Sequence, residues 1–129
     1  MITPDPSYRP DPKRAIYLHG EINQNMVDQH TPEIIKLKHG NIKPITVYID
    51  SNGGDPTLME RLLKLLLAAG QDSSERCNVI TVVTSQAASA AADLLSSGDY
   101  AIAYPGASLL YHGLRFTNLN LKERPLTRE

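Results

Sequence analysis

Two hydrophobic rhythms alternate along this chain. Short apolar runs give way to longer stretches whose apolar residues recur three and four positions apart, and the alternation predicts strands and helices in turn. "AIYL" (15–18) reads as a short strand closed by Gly20. From Asn23 onward, Met26, Val27, Ile34 and Leu37 are spaced for a helix ending near Gly40. Pro32 falls inside it. An interior proline removes a backbone donor and crowds the preceding turn, so the helix either kinks or restarts with Thr31 as cap and Pro32 as first residue. "ITVYID" (45–50) is a second strand punctuated by "SNGG". Asp55 then serves as N-cap, Pro56 as first helical residue, and Met59, Leu62, Leu63, Leu66 and Leu67 form one apolar stripe until Gly70. "NVITVVT" (78–84) is a third strand, "SQAAS" a bend, and the alanine-rich stretch a third helix closed at Gly98. "YAIAY" and "SLLYH" are two more strands around the turn at Pro105 and Gly106. The tail from Arg115 has weak alternation, then charge, and no closing element.

Strands alternating with helices imply an α/β fold with a mainly parallel sheet and right-handed crossovers. Residues 1–14, with four prolines, read as a flexible arm; 15–129 read as one domain, expected to be incomplete at its C-terminus. Hydrophobic content of 41% and charged content of 21% are globular values, and a formal net charge of −1 supplies no attraction to nucleic acid or an anionic membrane. The N-terminus "MITPDPSYRPDPKR" lacks the apolar centre of a signal peptide, and no apolar run is long enough to span a bilayer. The expected compartment is the cytoplasm. Cys77 is the single cysteine, and no histidines or cysteines recur at metal-ligand spacing, so neither metal nor cofactor is expected.

In a parallel sheet, ligands collect beyond the carboxyl ends of the strands. Three features fall on that edge: the Gly53-Gly54 turn after the second strand, Ser89 at the start of the third helix, and His112 at the end of the fifth strand. Glycines can turn an amide outward in conformations closed to other residues, and a helix start leaves amides unpaired. Two such amides beside a serine make an oxyanion hole, and a neighbouring histidine can take the serine proton. Each part has a bland reading as well. Serine in an alanine-rich helix start usually packs or caps, Gly-Gly after a strand is usually a tight turn, and a strand histidine is often simply buried. His19, His30 and His39 fit that buried or solvated class, and Glu33, Lys36 and Lys38 read as a solvated helix face.

Taken in order, "AIYLHGEI", "IDSNGGD", "SQAASAAADLLSSGD" and "AYPGASLLYHG" resemble the ClpP family of serine peptidases within the ClpP/crotonase superfamily, from about Ala15 to Gly113. The resemblance implies a spiral of strand-turn-helix units and a serine-type endopeptidase acting through an acyl-enzyme. By position it makes Ser89 the nucleophile, His112 the general base, the amides of Gly54 and Ala90 the oxyanion hole, and Gly53 and Asp55 contacts to a substrate strand. It further implies peptide or unfolded-protein substrates and a homo-oligomer, for which the leucine-rich helix 56–69 is a candidate contact surface. The family's pore-lining N-terminal segment is replaced here by the proline-rich arm, which argues against docking of an ATP-driven unfoldase. Asn52 stands where the family usually has proline, and Ala90 and Ala91 where it often has methionine and glycine. The family's histidine-orienting aspartate lies well downstream, and no spacing selects Asp93, Glu123 or Glu129 for that role. Two other readings stand beside the peptidase: a catalytically impaired binding or assembly subunit, and a crotonase-like acyl-CoA enzyme.

Overall fold

A computed structural model describes residues 9–69, 75–111, 114–116 and 124–126. The elements run β1 (Ala15–His19), α1 (Gln24–Gly40), β2 (Ile45–Ser51), α2 (Pro56–Leu67), β3 (Val79–Ala88), α3 (Ala90–Ser96), β4 (Tyr100–Ala103), β5 (Ser108–Tyr111), β6 (Leu114–Phe116) and β7 (Arg124–Leu126). β1 to β4 lie side by side in chain order and all parallel, with β7 antiparallel on the far edge of β4. This is the α/β, mainly parallel arrangement that the alternation of rhythms predicts.

Strand alternation sets the two faces of the sheet. Ile16 and Leu18 of β1, Val47 and Ile49 of β2, and Val79 and Val83 of β3 point into one core with Met26 and Ile34 of α1, Met59, Leu62 and Leu66 of α2, and Leu94 and Leu95 of α3. Of the leucine-rich stripe of α2, offered above as a contact surface, Met59, Leu62 and Leu66 are buried in this core and Leu63 and Leu67 are partly buried against it. On the other face Tyr17 is exposed and its ring stacks on Tyr48, with centroids 4.8 Å apart.

Several local expectations change. Structured chain reaches back before Ala15: Asp11 accepts the Lys13 amide to cap a 3₁₀ turn at Pro12–Arg14, and the Arg14 side chain is buried. Its guanidinium donates to the carbonyls of Leu37, Lys43 and Pro44, which gives a buried charge the partners it requires. α1 begins after Asn23, whose side chain accepts the Met26 amide, and it runs through Pro32 as one helix. Thr31 does not restart it; its hydroxyl donates to the Val27 carbonyl at 2.6 Å. Lys38 is not part of a solvated face. Its ammonium donates to the carbonyls of Leu65, Leu66 and Ala68, which lie at the C-terminal end of α2 where helix carbonyls lack partners. Burial of that group lowers its pKa from the ordinary value. Gly70, expected to close α2, lies outside the described residues.

The largest correction concerns "SQAA". The segment is not a bend but the second half of β3, and there β3 changes partners. Ile80 to Val83 pair with β4, whereas Gln86 to Ala88 pair in parallel with β5. Sequence rhythm misses this because Thr84, Ser85 and Gln86 interrupt the apolar run while the backbone stays extended. The tail also holds regular structure: β6 pairs with β5, and β7 closes the sheet against β4.

Candidate active site

Ser89 stands between β3 and α3 as the N-cap residue of the helix. Its backbone has φ 57° and ψ −124°, and Ser89 is the one non-glycine residue with positive φ among those described. L-residues rarely adopt that conformation, and holding one there costs about 1–3 kcal/mol. The strain is imposed from both sides. The Ser89 amide donates to the Leu110 carbonyl of β5 at 2.8 Å, and its carbonyl accepts the first helical bond from Asp93 at 3.1 Å. The side chain is exposed and makes no capping hydrogen bond, so the usual structural role of an N-cap serine is not the role of this one.

The neighbouring alanines pack inward. Ala87, Ala88, Ala90, Ala91 and Ala92 are all buried, so their small size serves contact between β3, α3 and the elements beneath. One contact is with the glycine turn. A Cβ on Gly53 would sit 2.6 Å from the Ala88 carbonyl oxygen, 3.0 Å from the Ser89 Cβ and 3.3 Å from the Ala90 nitrogen. Only glycine allows that approach, which brings the loop after β2 against the serine bend. Gly54, at φ 152°, is wedged against the Ile22 backbone, where an added Cβ would meet the carbonyl oxygen at 2.3 Å.

Hydrogen bonds hold the turn in place. The Gly53 amide donates to the buried Ser51 hydroxyl at 3.0 Å, the Ile22 amide to the Gly53 carbonyl at 2.8 Å, and the Asp55 amide to the Ile22 carbonyl at 3.0 Å. Asn52 receives the side-chain amide of Gln86 at 2.7 Å. Among the described residues the Gly54 amide meets no hydrogen-bond acceptor. Ala90 is the first residue of α3, so its amide lacks an intrahelical one.

Comparison with known proteins gives the family. The family model for Clp protease matches residues 7–116. The chain belongs to the Clp protease family. Among solved structures, the ClpP protease catalytic domain from Plasmodium falciparum is similar at 26% identity and a TM-score of 0.68, over 78% of this chain and 54% of that one. ClpP1 from Listeria monocytogenes shares the fold at 22% identity and a TM-score of 0.63, over 75% of this chain and 55% of that one. The chain thus spans about half the length of the solved relatives it matches. No curated protein matches it.

Within this Clp protease family chain, then, Ser89, Gly53, Gly54 and Ala90 come together at the carboxyl edge of the sheet. Asp55 lies beside them, but its carboxylate caps α2 by accepting the Thr57 and Leu58 amides. Asp93 is on the first turn of α3 after Ser89. His112, Glu123 and Glu129 lie outside the described residues. The roles of Ser51, which holds the turn on β2, and of Gln86, which ties Asn52 to β3, escape sequence reasoning; the polar break in the apolar run of β3 is the only signal for Gln86. A cavity of about 370 Å³ lined by Tyr17, His19, Tyr48, Asp50 and Thr84 is on the opposite face of the sheet and includes none of the site residues. Among the described residues no cluster of His, Cys, Asp or Glu could hold a metal ion, and no helix is long and apolar enough to cross a membrane.

Proposed function

We propose that this chain hydrolyses peptide bonds by acyl transfer through Ser89. The observation that carries the reading is the strained strand-to-helix bend, which holds an exposed serine whose hydroxyl caps nothing directly against a glycine turn. Strained turns of this kind lift a nucleophile clear of its own backbone. Ser89 Oγ attacks the carbonyl carbon of the scissile peptide, and the negative charge on the carbonyl oxygen develops toward the amides of Gly54 and Ala90. Removing one such donor typically costs a hundredfold to a thousandfold in rate. His112, two residues beyond Leu110 on the chain that ties down the Ser89 amide, takes the serine proton and passes it to the leaving amine. Water then attacks the ester, and the proton His112 takes from it passes to Ser89 Oγ as the serine is released. The mechanism needs no cofactor. Gly53 and Asp55 flank the path of an extended substrate, and assembly into a homo-oligomer would complete a peptidase of this family.

The test is reaction of the chain with a fluorophosphonate, read by intact mass. One phosphonyl adduct per chain is expected, absent from Ser89→Ala, with the far-ultraviolet circular dichroism of the two proteins superimposable. A folded chain that gains no adduct would overturn the nucleophile and leave a peptide-binding or assembly role. Equal labelling of the Ser89→Ala variant would place the reactive hydroxyl elsewhere.

A further inference from the structure

Resting on Ser89 as nucleophile, we propose that Gln86 is a positioning residue, and that its hydrogen bond to Asn52 holds the Gly53-Gly54 turn in place against the serine bend. The argument starts from the strand register. Ile49 of β2 pairs with Val83 of β3, and the next pair is Ser51 with Ala87. Two steps along β2 therefore face four along β3, and the regular ladder is interrupted just before both strands reach the site. Main-chain pairing resumes beyond that irregularity with Ser51 opposite Ala87, the last pair of the ladder before the turn.

The Gln86 side chain crosses it. Gln86 is anchored as the residue opposite Ser108 in the β3 to β5 ladder, three residues before Ser89. Its Nε2 donates to Asn52 Oδ1 at 2.7 Å, and Asn52 immediately precedes Gly53. The other bonds of the turn run to Ser51 and Ile22, on the β2 and β1 sides. The Gln86 bond ties the turn to the strand that carries Ser89. Both partners are uncharged, so they add no net charge beside a developing oxyanion. Oxyanion donors act only when aimed at the position the oxygen will occupy, and small displacements of the turn would cost rate before they cost folding.

A double-mutant cycle on the full chain tests this, with Gln86→Ala, Asn52→Ala and the double variant compared for the rate constant of phosphonylation at saturating fluorophosphonate, for the half-saturating concentration, and for hydrogen exchange at the Gly53 and Asp55 amides. Each single variant should label about tenfold more slowly, below the full effect of removing a donor, with the half-saturating concentration within about twofold of the parent. The double variant should be no slower than the slower single, because both changes break one bond. Exchange at Gly53 and Asp55 should quicken in all three. Single variants that label at the parental rate, or losses that multiply in the double, would overturn the proposal. If the parent itself does not label, the nucleophile assignment fails and the exchange data decide separately: quickened exchange in Gln86→Ala supports the tie, and unchanged exchange refutes it.

Discussion

The conformation of Ser89 is close to the first corner of a type II′ turn, a position that glycine occupies freely and that a side chain opposes. If about 1–3 kcal/mol is held there, Ser89→Gly should recover part of it even after the extra chain entropy of glycine is subtracted. The expected gain is about 1 kcal/mol, or roughly 4 °C in Tm. Ser89→Ala keeps the Cβ and should melt close to the parent. A pair of thermal melts decides the point: equal Tm values for the glycine and alanine variants would mean that the bend is unstrained. The proposed role explains why a destabilising residue sits here, since the hydroxyl is needed where glycine would be more comfortable.

At the scale of elements, one charged side chain adds a polar tie between α1 and α2 beside their apolar packing. Lys38 donates to three carbonyls that the end of α2 leaves open, and the cation also sits favourably at the negative end of that helix. Lys38→Met keeps the apolar stem and removes the donors, so it should cost about 1–3 kcal/mol, seen as a lower urea midpoint with an unchanged slope. A midpoint equal to the parent would show that water replaces the ammonium without loss. α1 tolerates Pro32 because the missing amide leaves a single carbonyl, that of Asp28, without its helical donor, while packing of Met26, Val27 and Ile34 holds the helix on both sides of the proline.

Across the whole molecule, Asp99 joins the starts of β3 and β4. Its carboxylate accepts two bonds from Arg76, at 2.6 and 2.7 Å, and the Val79 amide at 2.8 Å. Burial opposes the charged form, but the Arg76 and Val79 bonds outweigh it and hold the carboxyl below the ordinary value of 3.8. A depressed pKa in the folded state means that the unfolded chain binds the proton first. The contribution to stability is therefore complete above the unfolded value and is lost as pH falls through the folded one. Asp99→Asn should cost about 1–2 kcal/mol at pH 7, a figure discounted for the partial exposure of Arg76, and the gap from the parent should narrow below pH ~3.8. Urea unfolding of both proteins at pH 7 and at pH ~3 checks the sign. A gap that widened in acid would place the ion pair's contribution elsewhere.

What the sequence determined by itself is local. The strand and helix rhythms, the Asp55 cap and the glycines of "SNGG" depend on neighbours a few residues away, and so they place β1, α1, β2, α2 and the carboxyl edge before any packing is known. The order of "SNGGD", "SQAAS" and "YHG" marks the candidate site by resemblance for the same reason. Tertiary structure alone decided the rest. Lys38 reads as solvated because the carbonyls it meets begin 27 residues away, and "SQAA" reads as a bend because its partner in β5 comes only after a helix and another strand. The alanines beside Ser89 read only as a helix former's run, and their burial comes from the closure of β3, α3 and the glycine turn around them. Gln86 and Asn52, 34 residues apart, become a pair only when the register of β2 and β3 slips between them. In each case the residue's partner is distant along the chain, and local periodicity carries no information about which distant group will arrive.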